Sequence, residues 1–338
     1  MNSIATKDVE LHGQADVWSL AFSPDGKQIA TSSPSTEAVS VWLWQGNPSV
    51  AQTLQHPKGG SPNGLRYSAD GTLLAVAHGP DEANQLVRIW NTTTATVVGD
   101  ISDRFGQGSG SLKYAALAFS PDGQFLMRSQ GGGSHMEGST EVFVDSFVVH
   151  ETKAWGVAWG LKTEPFHPDA LGVSSDGRWA AIAGWERVMR GGIVLRVQTK
   201  IMLIDLTARE ARFSGEILSD SCTVEFVVWS PDGQRIAVGG NPMDTTGPRP
   251  PALELLDAKS GKSLGSFPAR SNMVALDFSP DGRYLLVGWG SKGVEIWDGA
   301  HGKLLQSISG NPTAAKFSHD GRHLAIASGS EITIWDMK

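Results

Sequence analysis

Apolar and polar residues alternate along most of this chain in short runs, and a turn-forming motif interrupts the runs repeatedly. The motif reads Phe-Ser-Pro-Asp-Gly in its most regular form and occurs seven times, intact or altered. Its first residue and the residue two positions earlier are apolar in every copy. Alternation with period two is typical of β-strands, and Ser, Pro, Asp and Gly favour tight turns. The pattern therefore predicts a strand, a turn and a second strand around each copy. The seven copies end at Gly26, Gly71, Gly123, Gly177, Gly233, Gly282 and Gly321.

Each repeat is long enough for four strands. Successive glycines of the motif are 45, 52, 54, 56, 49 and 39 residues apart, a period typical of propeller blades rather than helical solenoids. A third apolar run ends, for example, at residues 295–298, and a fourth follows at 304–308. The last repeat has no fourth run, because only two residues follow Asp336. We expect residues 1–12 to supply that strand and to close the ring of blades, which removes an exposed sheet edge.

A family resemblance lies in the turn motifs and in the ends of two third strands. The motif at 278–282 reads FSPDG, and the strands that end at Asp298 and Asp336 read VEIWD and ITIWD. In these features the chain resembles the WD40-repeat family over essentially its whole length, although the Trp-Asp pair occurs in only two repeats and a regular Gly-His is absent. The resemblance implies an all-β fold, a single seven-bladed β-propeller over residues 1–338 with four-stranded antiparallel blades. It also implies a noncatalytic interaction scaffold that binds a protein or peptide.

Composition narrows the class of protein. The 40 glycines and 17 prolines suit many short strands and turns, and the absence of a long apolar run predicts a soluble protein without a membrane segment. The first residues do not form a secretory signal, so we expect a cytoplasmic location. Cys222 is the only cysteine, which excludes internal disulfides. A net charge of -7 argues against nucleic acid as a partner, since such binding needs a basic face.

The blades differ mainly in the connection between their second and third strands. The distances from the motif glycine to the end of the third strand are 19, 20, 27, 28, 24, 16 and 15 residues in chain order. The extra length is concentrated in blades 3, 4 and 5, and by the family resemblance these connections share one rim. Loops on a rigid scaffold often carry binding function, so we predict the partner site there. Neutral growth of surface loops is the alternative.

The connection in blade 4 predicts a β-hairpin, because Gly191-Gly192 separates two alternating runs. With a two-residue turn, Arg187 would lie opposite Arg196, and such a like-charge pair is destabilising. An acidic partner would relieve the repulsion, and so would an internal salt bridge to Glu137 or Glu141. The predicted pairs are Arg190 with Ile193, Val188 with Leu195 and Glu186 with Val197 on one side, and Met189 with Val194, Arg187 with Arg196 and Trp185 with Gln198 on the other.

Blades 3 and 5 add further candidates. We expect 131–138 in blade 3 and 241–251 in blade 5 to be loops. Arg128 stands in a strand position that is otherwise filled by Thr, Val or Ile. It is either paired with a carboxylate such as that of Asp145 or directed into a functional cavity. The candidate partner-binding residues are Trp185, Arg187, Met189, Arg190, Arg196, His135, Met136, Met243 and Arg249.

Catalytic and cofactor signals are weak. Gly261-Lys262-Ser263 lacks the preceding glycine and the helix of a phosphate-binding loop. No nucleophile and base can be recognised as a set, and the histidines lack metal-ligand spacing, so we expect neither catalysis, nor a metal, nor a cofactor. The alternative is a propeller enzyme or a small-ligand or metal-binding protein, because propellers can gather side chains from several blades around a central channel.

Overall fold

The alternating runs form β-strands throughout the part of the chain that this computed structural model describes. The described residues are 3–13, 15–33, 35–56, 62–78, 85–103, 116–137, 140–163, 165–190, 193–218, 222–242 and 251–338. They form 28 strands in seven four-stranded antiparallel sheets, the blades of a β-propeller. The predicted fold class is confirmed. None of the described segments is a helix of membrane-spanning length and hydropathy.

Two compact units contain the blades, and the first comprises Met1–Asp81, Val87–Asp100 and Arg270–Lys338. Blade 1 consists of β2 (Ser19–Phe22), β3 (Gln28–Ser32), β4 (Ala38–Leu43) and β5 (Ser49–Gln55). Blade 2 consists of β6 (Pro62–Tyr67), β7 (Leu73–His78), β8 (Gln85–Asn91) and β9 (Thr96–Asp103), of which residues 85–86 and 101–103 are assigned to the second unit. Blade 6 consists of β22 (Met273–Phe278), β23 (Tyr284–Trp289), β24 (Gly293–Asp298) and β25 (Leu304–Ile308). Blade 7 consists of β26 (Ala314–Phe317), β27 (His323–Ser328), β28 (Glu331–Met337) and β1 (Ala5–His12).

The second unit comprises Glu82–Leu86 and Ile101–Ala269. Blade 3 consists of β10 (Ala116–Phe119), β11 (Phe125–Glu137), β12 (Thr140–Glu151) and β13 (Val157–Lys162). Blade 4 consists of β14 (Phe166–Val173), β15 (Trp179–Arg190), β16 (Ile193–Asp205) and β17 (Glu210–Glu216). Blade 5 consists of β18 (Cys222–Trp229), β19 (Arg235–Pro242), β20 (Pro251–Asp257) and β21 (Ser263–Pro268).

The repeated motif forms a turn that is held by its own side chains. In the copy in blade 1, the Ser23 hydroxyl donates to Asp25 Oδ1 at 2.6 Å, and the same oxygen accepts from the Lys27 amide at 3.1 Å. These hydrogen bonds, the Ser23 bond above all, hold the pKa of the Asp25 carboxyl below its usual value. Gly26 has a φ of 71°, a conformation that favours glycine. Each motif therefore sets the geometry of its turn locally.

The apolar positions that flank the turns pack between neighbouring blades within each unit. In the first unit, separate cores join blades 7 and 1, 1 and 2, and 6 and 7. In the second unit, cores join blades 3 and 4, and 4 and 5. Leu20 and Phe22, which flank the first motif, are 6% and 1% exposed. The apolar positions of the alternating pattern are thus the packing surfaces of the blades.

The N-terminal segment completes the last blade, as predicted. β1 pairs antiparallel with β28, from Ala5 opposite Met337 to His12 opposite Glu331, with an irregularity between Lys7 and Val9. Leu11 is buried in the core between blades 7 and 1. β1 therefore depends on β28 for its pairing, whereas β28 also pairs with β27.

Candidate functional site

The β15–β16 hairpin of blade 4 continues beyond the strands that flank it. The pairing of β14 with β15 ends at Glu186, and the pairing of β16 with β17 begins at Lys200. From there the two strands pair only with each other, as far as Arg190 opposite Ile193. The predicted hairpin is confirmed, and its tip projects from the blade as a two-stranded ribbon.

The register of this hairpin differs from the prediction. Arg190 lies opposite Ile193 and Met189 opposite Val194, as expected, but a bulge follows. Arg187 consequently lies opposite Val197, and Arg196 lies opposite Val188. The predicted pairing of Arg187 with Arg196 is wrong, because the extra residue in β16 shifts every later pair by one position. The remaining pairs are Glu186 with Gln198 and Trp185 with Thr199.

Packing and charge hold the base of the hairpin. The half-buried ring of Trp185 stacks on the imidazole of His167, with centroids 3.9 Å apart and planes 17° from parallel. Lys200 Nζ lies 2.7 Å from Glu186 Oε2, and both side chains are about one-fifth exposed. Gln198 Nε2 donates to Glu216 Oε1 at 2.6 Å. The ribbon therefore grows from a fixed base.

The side chains at the hairpin tip lie outside the described residues. This applies to Arg187, Met189, Arg190 and Arg196, whose backbones are placed by the pairing. The side chains of Glu137 and Glu141, the predicted internal partners, are likewise outside it. The tip arginines stay predictions as contact residues.

Blade 3 has a second long hairpin where the sequence analysis expected a loop. β11 continues to Glu137 and pairs with β12, with His135 opposite Val142 and Met136 opposite Glu141. The expectation of a loop at 131–138 is wrong for residues 131–137, because regular pairing resumes at Gly133 after an irregularity that starts at Gln130. The side chains of His135 and Met136 lie outside the described residues.

Arg128, the charged residue in the apolar column, is 8% exposed. Its Nε donates to His150 Nε2 at 3.0 Å, and His150 Nδ1 lies 3.2 Å from the carbonyl oxygen of Trp155. A histidine that donates from Nδ1 and accepts at Nε2 is neutral, so this arrangement fixes one tautomer. The predicted alternatives were a carboxylate or a functional cavity, so an imidazole acceptor was not expected. The side chain of Asp145 lies outside the described residues.

The candidate residues of blade 5 lie outside the described residues, and the described residues contain no metal-binding cluster. Met243 and Arg249 fall in residues 243–250, which the structure does not describe. Within the described ranges, no group of three or more His, Cys, Asp or Glu side chains is arranged to hold a metal ion. Cys222 is buried, and its thiol donates to the carbonyl oxygen of Pro251.

Two features of the first unit were not foreseen from the sequence. His56, which follows β5 of blade 1, and His78, in β7 of blade 2, have ring centroids 4.2 Å apart, and both are buried. Two adjoining cavities of about 480 and 430 Å³ open beside β1, and Lys7 and Trp335 line both. The histidines gave a weak signal, since His56 follows β5 and His78 ends β7, but the cavities depend on contacts between distant segments.

Comparison with known proteins places the chain in a structural class. The model of the WD domain, G-beta repeat, matches residues 5–42 and 261–298. A chain of Kuenenia stuttgartiensis hydrazine synthase is similar in structure, with a TM-score of 0.74 and 17% identity over 97% of each chain. A chain of the mitotic checkpoint complex has a TM-score of 0.72 and 18% identity, over 98% of this chain and 96% of that one. No curated protein sequence matches.

At such identities the two structures support the fold alone. The matched repeats fall in blades 7 and 1 and in blades 5 and 6, and the intervening blades repeat the same four-stranded plan. Together, the family match at two repeats and the seven blades support a divergent WD40-repeat β-propeller.

Proposed function

We propose that this protein is a noncatalytic scaffold that binds a protein or peptide on the extended hairpins of blades 3 and 4 and on the blade 5 loop. WD40 propellers are commonly interaction scaffolds. The observation that carries the proposal is the β15–β16 ribbon, which continues past β14 and β17 from a base fixed by Trp185 and Lys200. A fixed ribbon offers contact surface with little loss of conformational entropy on binding.

The residues of the ribbon suit an interface with an acidic partner. Arg187, Arg190 and Arg196 lie in twelve-residue β15 and thirteen-residue β16, in a protein with a net charge of -7. Arginine and tryptophan are enriched among the residues that dominate binding energy. The bulge separates Arg187 from Arg196, so the hairpin does not need an acidic partner to relieve their repulsion. Charge complementarity, rather than relief of strain, is therefore the basis of the proposed preference.

The structural comparisons do not choose between a scaffold and an enzyme. One similar chain comes from a synthase and the other from a checkpoint complex. Since both identities are below 20%, neither function transfers to this chain. We expect the scaffold to act in the cytoplasm, in agreement with the single cysteine.

A charge-reversal comparison tests the proposal. Arg187→Glu combined with Arg196→Glu should remove the partner from a pull-down that is analysed by mass spectrometry. The matched control is Lys153→Glu with Lys259→Glu, which reverses as many charges at exposed turns of blades 3 and 5. We expect the control to retain the partner that the wild type captures. Equal capture by all three proteins, each shown to be folded by its thermal midpoint, would overturn the proposed site.

Once the partner is identified, titration of the purified proteins measures the effect. We expect the hairpin variant to weaken binding at least tenfold, and we expect added salt to weaken wild-type binding, because the attraction is electrostatic. Salt-independent affinity would contradict the acidic character of the partner.

A further inference from the structure

The outer edge of β1 is already paired at one position by a side chain. Gln306 of β25 accepts with Oε1 from the amides of Ile4 and Ala5 at 2.6 and 3.0 Å. Its Nε2 donates to the carbonyl oxygen of Ala5 at 3.0 Å. In an antiparallel sheet, a residue of a neighbouring strand would make both of the bonds to Ala5. The side-chain amide of Gln306 therefore takes the place of one residue of a fifth strand in blade 7.

Strand geometry identifies the next position on the same edge. The Lys338 amide donates to the carbonyl oxygen of Ile4 at 2.9 Å, so this oxygen faces β28 and not the outer edge. Successive residues of a strand present their main-chain groups to opposite edges. Ala5 presents its main-chain groups to the outer edge, so the N–H and C=O of Lys7, two residues later, point to the same edge. The irregularity between Lys7 and Val9 ends the regular edge there.

The two cavities meet at this position. The smaller, about 430 Å³, runs between the Ser3–Lys7 side of β1 and the 306–309 segment. The larger, about 480 Å³, continues from Lys7 between the hairpin ends of blades 6 and 7. Ile308 and Ser309 line both, so the cavities form one groove beside the outward edge of Lys7.

The groove has an apolar base, and glycines form part of its wall. Val294, Ile308 and Ile326 are 1%, 8% and 6% exposed and form the apolar base. Gly293 and Gly329 line its walls, and both have positive φ values. A Cβ atom at Gly293 would collide with the carbonyl oxygen of Ile308. Gly293 thus allows β25 to pack closely against the hairpin, while the volume of the groove leaves room for a short main-chain segment and its base suits an aliphatic side chain.

The charge around the groove favours a basic ligand. Lys7 Nζ lies 2.7 Å from Glu10 Oε2 and 3.5 Å from Glu331 Oε1. Two carboxylates therefore surround one ammonium group, and all three side chains are 38–44% exposed. The surplus negative charge would attract a lysine or arginine on a bound chain.

We propose that the outward edge of β1 at Lys7 and the adjoining groove bind a short, extended basic peptide segment by strand addition. Its main chain pairs with Lys7, an aliphatic side chain enters above Ile308, and a flanking basic side chain reaches Glu10 and Glu331. Strand addition supplies affinity through main-chain bonds and specificity through alternate side chains. The site lies on blades 6 and 7, so a test of this inference is independent of a test of the hairpin site in blade 4.

Two substitutions at one position test the main-chain contact. The probe is a fluorescein-labelled hexapeptide of alternating Val and Lys, and binding is measured by fluorescence anisotropy. Lys7→Ala keeps the amide and frees both carboxylates, so we expect it to bind at least as tightly as the wild type. Lys7→Pro frees the same two carboxylates and also removes the outward N–H, a change that edge strands tolerate, and we expect at least tenfold weaker binding. Equal affinity of the two variants would overturn strand addition.

A modified peptide provides the same test without altering the protein. A hexapeptide in which every main-chain amide is N-methylated cannot donate main-chain hydrogen bonds, and we expect it to bind wild-type protein at least tenfold more weakly. A hexapeptide of alternating Val and Glu should also bind more weakly, and more so at low salt. If the N-methylated peptide binds as well as its parent, or if the Val-Lys peptide does not bind at all, the inference is wrong.

Discussion

The side-chain amide of Gln306 hydrogen-bonds the main chain of Ala5 in both directions, with both donor–acceptor distances at 3.0 Å. The contact joins residues 301 positions apart in the chain. β1 is thus attached twice, through its pairing with β28 and through one glutamine of blade 6.

Replacing Gln306 with alanine should loosen the closing strand. Three hydrogen bonds to Ile4 and Ala5 are lost, and we expect unfolding free energy to fall by about 1–3 kcal/mol. Urea unfolding measures this loss, and hydrogen exchange should be faster at the amides of Ile4 and Ala5. The control is Ser307→Ala, the next position of β25, which should change stability by less than about 0.5 kcal/mol.

Removal of residues 1–12 deletes all of β1, so the unfolding free energy should fall at least as much as it does for Gln306→Ala. The assignment of Gln306 would be refuted if its alanine variant matched the Ser307→Ala control in both stability and exchange.

Four blades carry a tryptophan near the end of the third strand, and in three of them the indole N–H has an acceptor. The three bonds run from Trp42 to Thr31 at 3.0 Å, from Trp297 to Glu295 at 3.2 Å and from Trp335 to Thr333 at 2.9 Å. In blade 2, Nε1 of Trp90 is buried and finds no acceptor in the part of the chain that the structure describes. In blade 2, the position of Thr31 is taken by Val76, whose side chain cannot accept a hydrogen bond. The position of Thr333 is taken by Arg88, which binds Asp100 at 2.7 Å.

Val76→Thr should therefore stabilise the protein. Thr31 occupies the equivalent place in blade 1, two residues beyond the residue opposite the tryptophan. Satisfying the buried indole should outweigh the cost of the added hydroxyl and raise the unfolding free energy by about 0.5–1 kcal/mol. Urea unfolding measures the change.

The matched control is Val238→Thr in blade 5. Val238 is also fully buried, but the tryptophan position there holds Leu256. Without a donor to satisfy, the new hydroxyl should cost about 1–3 kcal/mol. Equal losses at Val76 and Val238 would show that Trp90 gains no acceptor.

His56 should make the protein sensitive to acid. Burial lowers the pKa of its imidazole to about 3, with further lowering by the charges of His78 and Arg88. In the unfolded chain a histidine has a pKa of about 6.5. Because the folded value is the lower one, the unfolded state binds more protons, and stability should fall as the pH drops from about 6.5 toward about 3.

The measurement is unfolding free energy against pH for wild type and His56→Phe. Below pH 6.5 the wild-type curve should fall more steeply, by up to about 1.4 kcal/mol per pH unit. Between pH 7 and 9 the two curves should run parallel, since His56 is then neutral in both states. Parallel curves at acidic pH would contradict the effect.

Local patterns explain why so much of the fold was predictable. The motif from Phe22 to Gly26 encodes its turn through hydrogen bonds within six residues, so its seven copies reveal the blade boundaries directly. The alternation of apolar and polar residues predicts that Leu20 and Phe22 are buried, and they are. The closing strand followed from counting strands, because the last repeat lacked one.

The candidate sites were less predictable, because they depend on contacts outside any repeat. The bulge in β16 shifts Arg187 away from Arg196, and the two-residue turn gave no sign of it. Arg128 was recognised as unusual, but its acceptor His150 lies 22 residues away. Gln306 looked like an ordinary polar residue of an outer strand until its contact with Ala5 was known.

The pairing of β1 with β28 has a consequence for synthesis. A ribosome makes Ala5–His12 first, and it makes Glu331–Met337 roughly 20–60 s later at typical elongation rates. Throughout that time β1 has no native neighbour, and an unpaired strand edge can join another chain. The irregularity after Lys7 interrupts the edge of this strand, so a short segment such as the proposed peptide can pair with it, whereas regular pairing with a long strand of another chain is discouraged. Nascent chains on one messenger are thereby less prone to associate before the last blade is complete.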